Sequence, residues 1–342
     1  MPFRTEHTLA GYARVAVEMK TRMRDYCATI ASDQYARAFV EARWAALPPT
    51  GDEARRTDKL TAVLNQANST VWAHGEAYVL APAMTAVIAA AAQALDLSGE
   101  LLTADAAPTD TGVLFLPEPI YHRNPAGHVS GIAAITWATV ASPSGQSWLI
   151  CGWANRDDPE DPHAARIRDY ARQDPTLPAR LGPYVLTVLD VLPIAKPVPA
   201  ITQPHVDEPD RDWQTAPDGR YLITSDTARV CAAIAYAFWR IQAQPISVCA
   251  PAPLDRPARR RAVRARIVHA TRVVMLRRTS PITEPAGGPP KWHYRVRFLV
   301  RGHWRRLTNS HGQAYRIWIH AHIKGPDGAP LLHGEKVAVL TR

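Results

Sequence analysis

The sequence predicts an α+β protein with a helical N-terminal part, a small central antiparallel sheet with helices, and a C-terminal basic antiparallel sheet. Three observations predict this: helical periodicity near the N-terminus, short apolar runs between turn residues in the middle, and two-residue alternation near the C-terminus. The predicted domains are residues 1–105, a mixed middle domain at 106–250 and a β-rich module at 251–342. Prolines make residues 175–218 a predicted irregular connector inside the middle domain.

The N-terminal part is predicted to be helical because its apolar residues recur every three or four positions. They are Tyr12, Val15, Met19, Met23, Tyr26 and Ile30. No proline occurs between Leu9 and Leu47, so one amphipathic helix is expected there, ended by Pro48 and Pro49. A second helix is predicted over residues 52–67, and a third through the alanine-rich stretch to Leu95.

The middle domain is predicted from short apolar runs and a cluster of acids. A strand over residues 113–116 is closed by Pro117 and Pro119, and further strands are expected at 132–140 and 148–153. Residues 157–161 contain four acids just before a predicted helix. Such acids can bind Mg²⁺, but they more commonly cap the helix and complement its dipole, which is the preferred interpretation. A core helix is predicted to follow at 226–244.

The C-terminal module is predicted from alternating cations and apolar residues. Over residues 291–301 and 315–324, one set of alternate positions is mostly apolar and the other carries Lys, Arg, His and Trp318. Successive side chains of a strand point to opposite faces, so each stretch should have one apolar and one basic face. A capped, arginine-containing helix is predicted at 255–266, with further strands at 267–276 and 337–341.

The positive charge is concentrated in this module. Residues 251–342 hold 19 Lys and Arg against 4 Asp and Glu, whereas residues 1–250 hold 21 against 27. This asymmetry is typical of nucleic-acid binding, although GC-rich codon usage is an alternative cause.

The four cysteines form no CxxC pair and are expected to be free thiols. With neither a signal-peptide pattern nor a membrane span, the prediction is a soluble cytoplasmic protein.

A nucleic-acid interface is predicted on the basic faces of these strands and on residues 301–306, which lie between two of them. Trp304 and Trp318 offer flat rings for bases, and arginines offer planar forks for phosphates. The predicted contacts are Arg277, Arg278, Arg295, Arg297, Arg301, His303, Trp304, Arg305, Arg306, Arg316, Trp318 and Lys324. The alternative is a solvated basic face with Trp304 closing a small core.

Three histidines are candidates for catalysis. His320 and His322 are two residues apart on a predicted strand, so their rings should share a face, near His303 or His293. They could act as the acid and base of a ribonuclease, or as ligands in a metal site, but surface histidines on a basic face are commoner than either. Phosphate-loop, dinucleotide-binding and zinc-protease motifs are missing from the sequence. The prediction leans towards a non-enzyme without metal or cofactor.

The C-terminal residues also resemble a known family. The run Val300-Arg301-Gly302-His303-Trp304-Arg305, followed by Gly312, residues 315–319 and 324–326, resembles the signature of largely uncharacterised proteins from high-GC bacteria, plasmids and phages. The signature is similar to the C-terminal part of the phage anti-CRISPR that suppresses biogenesis of a type V effector nuclease. The resemblance implies a mobile-element protein that acts on expression of a host factor by engaging RNA or a translating complex.

Three functions therefore remain open from the sequence. The first is a non-enzymatic regulator or counter-defence protein that binds nucleic acid, in particular RNA, without membrane association. The second is a protein-binding inhibitor that contacts a host protein through the helical N-terminal part. The third is a histidine-dependent ribonuclease.

Overall fold

The computed structural model confirms the α+β class. It describes residues 3, 8–45, 51–123, 129–142, 145–200, 222–223, 229–277, 298–300, 302–309, 312 and 314–324. The chain divides into two compact units, Met1–Leu276 and Arg277–Arg342. Within the described residues, no helix combines the length and the apolar character needed to cross a bilayer.

The first unit contains helices and one large sheet. Its helices are α1 (Leu9–Cys27), α2 (Ile30–Ala45), α3 (Glu53–His74), α4 (Pro82–Gln93), α5 (Pro162–Gln173), α6 (Leu177–Arg180), α7 (Val230–Ile241) and α8 (Arg256–Arg264), with a 3-10 turn at Ala104–Ala106. Its strands are β1 (Glu76–Leu80), β2 (Thr111–Arg123), β3 (Val129–Ser142), β4 (Gly145–Asn155), β5 (Tyr184–Pro193), β6 (Leu222–Ile223), β7 (Ser247–Pro251) and β8 (Thr271–Leu276).

The sheet is larger than predicted and mixed rather than antiparallel. Its strand order is β5-β4-β3-β2-β1-β8-β7, and β6 pairs with the far end of β2. The pairs β1–β2, β1–β8 and β2–β6 are parallel, and the other pairs are antiparallel. The sheet therefore takes strands from all three predicted domains, with β1 from the N-terminal part near its centre.

Several predicted elements have different limits. The first helix is two helices, because Ala28 caps α1 and the Thr29 hydroxyl donates to the Tyr26 carbonyl. The third predicted helix is preceded by β1, which the sequence analysis missed. β2 continues through Pro117 and Pro119 with a shift in register, although these prolines were expected to end it. β5 lies in the predicted irregular connector, where it forms the sheet edge next to β4.

Aromatic side chains cover both faces of the sheet. On one face, Trp72 of α3 lies 5.5 Å from Trp153 and 6.1 Å from Tyr184, measured between ring centroids. On the other face, Trp137 lies 5.9 Å from Phe238 of α7. Gly112 of β2 pairs with Trp137 of β3, and a Cβ at this glycine would clash with the Trp137 ring. The packing of this indole therefore requires a residue without a side chain at position 112.

A buried lysine joins three segments of the first unit. Lys20 of α1 is fully buried, and its Nζ donates to the carbonyls of Gly75 and Val268, the latter at 2.6 Å. Burial lowers the pKa of the Lys20 ammonium to about 7, and the nearby Glu76 carboxylate opposes this shift. A neutral amine retains two N–H donors, which matches the two carbonyl acceptors.

The second unit contains short antiparallel pairs. Its described strands are β9 (Phe298–Val300), β10 (His303–Thr308), β11 (Ala314–Ile319) and β12 (His322–Lys324). β10 pairs with β11, and β12 pairs with β9. The antiparallel arrangement of the C-terminal strands is as predicted, whereas the predicted strand at 337–341 and most of that at 291–301 lie outside the described residues.

Candidate nucleic-acid interface

The β10–β11 hairpin places cations on both of its faces. Directly opposite residues of an antiparallel pair share a face. In the observed register, Trp304 is opposite Trp318 and Arg306 is opposite Arg316, so these four residues form one face, which we call the tryptophan face. His303 and Arg305 lie on the other face, opposite Ile319 and Ile317. The alternation in the sequence identified the shared face of Arg316 and Trp318 in β11, whereas β10 was not predicted, because residues 301–306 were expected to lie between two strands.

The two tryptophans of this face differ in exposure. Their ring centroids are 5.4 Å apart and the rings are inclined by 61°. Trp318 is buried, with 5% of its surface exposed, and its ring would clash with a Cβ at Gly302. The prediction that Trp318 offers an exposed ring to a base is therefore wrong, because Trp304 and the backbone of Gly302 cover it. Trp304 remains partly exposed.

The arginines of the hairpin are accessible to different degrees. Arg305 and Arg306 are exposed, and Arg316 is half-buried. Because Arg306 and Arg316 lie directly opposite each other beside the tryptophan pair, two guanidinium groups and one accessible indole belong to one face. Arg305 is next to Arg306 in the chain but points to the other side of the hairpin.

The remaining predicted contacts are only partly described. Arg277 is exposed and directly follows β8 in the chain. Four predicted residues, Arg278, Arg295, Arg297 and Arg301, lie outside the described residues, as does the side chain of Lys324. Of the predicted interface, the structure thus brings together Trp304, Arg306, Arg316 and Trp318 on one face.

The three candidate histidines do not share a continuous strand. β11 ends at Ile319, and β12 begins at His322 and pairs with β9, so the predicted strand over residues 315–324 is interrupted between its two histidines. The Nδ1 of His322 lies 3.0 Å from the carbonyl oxygen of His320. Partial burial and then the neighbouring His322 lower the pKa of His320, which favours its neutral form. In the described part of the chain, no cluster of three histidine, cysteine or acidic residues could hold a metal ion.

The acids before α5 act within the protein fold. Asp161 is the N-cap of α5, accepting from the backbone N–H of His163 at 2.8 Å and from that of Gly131 in β3 at 3.0 Å. Asp158 accepts from the N–H of Glu160. Burial raises the pKa of Asp161 to about 6, while the backbone donors act in the opposite direction. These contacts support the capping interpretation of the acidic segment.

Asp161→Ala is expected to lower the free energy of unfolding by about 2–3 kcal/mol, because the helix cap is lost and the buried backbone N–H of Gly131 loses its acceptor. Urea denaturation followed by circular dichroism would measure this. Asp157→Ala is the matched control, because that carboxylate is 61% exposed and pairs with Arg156 at the surface. A rise in stability with Mg²⁺ that Asp161→Ala abolished would instead support metal binding.

A second basic surface, on α8, was not included among the predicted contacts. Asp255 caps this helix by accepting from the N–H of Ala258 at 2.7 Å, as the sequence predicted. The exposed side of the helix carries Arg256, Arg259, Arg260, Arg261 and Arg264. The signal was available in the sequence, since alanines at 258 and 262 are four residues apart among arginines, which indicates a small buried stripe and a basic exposed surface.

A cavity of about 230 Å³ lies at one side of α8. Its lining includes Arg259, His269, Glu76 and Arg272. Glu76 accepts from the Arg272 Nε at 2.7 Å and from the Tyr78 hydroxyl at 2.9 Å. A carboxylate in the wall repels phosphate, and its partner Arg272 is already paired, so the cavity is a poorer site for a polyanion than the exposed helix.

Comparisons with known proteins find matches among solved structures alone. No family model matches the sequence, and no curated protein does. The crystal structure of AcrVA2 is similar with a TM-score of 0.40 and 11% sequence identity, over 88% of this chain and 97% of that chain. A similarity of this degree assigns neither a family nor an activity.

Proposed function

We propose that this protein is a non-enzymatic RNA-binding regulator that serves counter-defence in a phage or another mobile element. The observation that carries the RNA-binding part is the tryptophan face, where Arg306 and Arg316 lie directly opposite each other beside the partly exposed Trp304. The counter-defence part is supported by the resemblance of the Arg-Gly-His-Trp signature described above.

The chemistry of the tryptophan face suits a single RNA strand. Arginine forks bind backbone phosphates in planar geometry, and an accessible indole can stack on a base whatever its identity. Trp318 contributes by holding Trp304 in place rather than by contacting a base, because it is buried. Such a site would bind single strands with little sequence preference and with affinity that falls as salt rises.

Arg306→Gln is expected to weaken RNA binding, because it removes one phosphate contact from the tryptophan face. The slope of log affinity against log salt should become shallower by about 0.7, the value for one contact to a single strand. Fluorescence anisotropy with a labelled single-stranded RNA of mixed sequence, over a salt series, would measure it. Arg305→Gln is the matched control, since it removes an exposed charge from the adjacent residue but on the opposite face.

The outcomes separate a defined face from a general charge effect. If Arg305→Gln and Arg306→Gln reduce the slope equally, the tryptophan face is not the binding surface. If the unaltered protein has no measurable affinity for RNA at low salt, the proposed function fails altogether.

The same labelled RNA should remain intact on incubation with and without a chelator. Cleavage that His303→Ala, His320→Ala or His322→Ala abolished would support the ribonuclease alternative.

A further inference from the structure

Helix α8 presents a dense group of cations on the first unit. Its nine residues span roughly 14 Å and contain five arginines and no acid. Ala258 and Ala262 are buried and hold the helix against the fold, with the N-cap contact from Asp255 at its start. At 100° per residue, the buried stripe lies opposite Arg260, with Arg256 and Arg264 on either side of that position. The arginines therefore project over the whole solvent-facing side.

The guanidinium groups of these five arginines make no ion pair or hydrogen bond with any of the described residues. Other arginines of the first unit differ: Arg24 donates to the Ala265 carbonyl, and Arg272 pairs with Glu76. An isolated surface charge is ordinary, but five within about two and a half helical turns create a locally positive potential. The nearby acids are already engaged, since Asp255 caps the helix and Glu76 pairs with Arg272, so this positive surface is open to a ligand from solution.

We propose that α8 is a second nucleic-acid contact, which binds the phosphate backbone of the RNA; this inference rests on the proposed function. All five cations are arginine, whose planar fork matches phosphate geometry, and none is lysine. α8 contains no aromatic residue, so it has no platform for stacking bases. The contact is therefore to the backbone alone and is independent of sequence, whereas the tryptophan face also contacts bases.

The test compares two pairs of exposed cations, each with a spacing of four residues on a helix. Arg260→Gln with Arg264→Gln removes two charges from α8, and Arg55→Gln with Lys59→Gln removes two from α3. In the full chain, the α8 pair is expected to make the salt slope for single-stranded RNA shallower by about 1.4, twice the value for one phosphate contact. When salt is raised from about 50 to 200 mM, the fold-loss of RNA affinity should then be about seven times smaller for the α8 pair than for the unaltered protein. The α3 pair should leave the slope unchanged.

Each result has a defined meaning. If the unaltered protein binds RNA and the α8 pair leaves the slope unchanged, the inference is overturned while the proposed function stands. An equal loss in the α3 pair would also overturn it, because net charge alone would then explain the effect. If the α8 pair loses binding to a polyglutamate peptide but not to RNA, the helix serves an acidic protein surface instead. Circular dichroism of both variants checks that the helices remain folded.

Discussion

Gly112→Val is expected to lower the free energy of unfolding by about 3 kcal/mol, because the space next to Gly112 is filled by the Trp137 indole. Trp137 has no room to move. It is fully buried, its Nε1 donates to the Thr109 carbonyl at 2.9 Å, and its ring packs against aromatic side chains of β1 and α7. Urea denaturation followed by circular dichroism would measure the change.

The control for this substitution is the preceding residue of the same strand. Thr111 is half-buried and its side chain points to the other face of the sheet, so Thr111→Val should change stability by less than about 0.5 kcal/mol. If Gly112→Val is tolerated as well as Thr111→Val, the indole does not occupy the space over β2. Loss of near-ultraviolet tryptophan dichroism in the Gly112→Val variant alone would support the clash with Trp137.

Lys20→Met is expected to remove a rise in stability between pH 7 and pH 8.5. The pKa of Lys20 is about 7 in the folded protein and 10.5 in the unfolded chain. Between these values the unfolded chain binds a proton that the folded protein does not, so stability increases with pH. Over this window the increase due to Lys20 should be about 1.5 kcal/mol. The window ends at pH 8.5 because burial raises the pKa of the Cys27 and Cys151 thiols. Above about pH 9 these thiols therefore make stability fall with pH, which opposes the effect of Lys20.

The measurement is urea denaturation at several pH values within this window. Lys59→Met is the control, because Lys59 is exposed and its removal should leave the pH dependence of the unaltered protein in place. A rise in stability that persists in Lys20→Met would show that another group titrates. At every pH the Lys20→Met variant also leaves the carbonyls of Gly75 and Val268 without their donor, which lowers stability by an amount independent of pH in this range.

Local patterns predicted much of the secondary structure and part of the candidate interface. Asp161 and Asp255 were read correctly as the starts of helices, because a capping carboxylate acts within three residues. The alternation around Arg316 and Trp318 identified a shared face, since a strand has a fixed period of two. Strand β10 was not predicted, since residues 301–306 were expected to lie between two strands, so the burial of Trp318 by Trp304 could not be predicted either.

The missed elements depend on distant partners. The segment at Glu76–Leu80 is short and runs into an alanine-rich helix, so its own residues resemble the end of an apolar helical stretch. It is a strand because β2 and β8 pair with it on both sides. The break at Ala28–Thr29 is another case, since neither residue is a strong breaker and the Thr29 hydroxyl contact forms only when the turn does.

The position of β1 between β2 and β8 also limits when the protein can fold during its synthesis. Glu76 and Arg272 are paired although they are 196 residues apart in the sequence, so one side of β1 stays open until the ribosome has made nearly all of the first unit. Until then its backbone donors and acceptors on that side have no strand to pair with. We expect nascent chains that stop before Thr271 to be captured by chaperones, and release of full-length protein to end that capture.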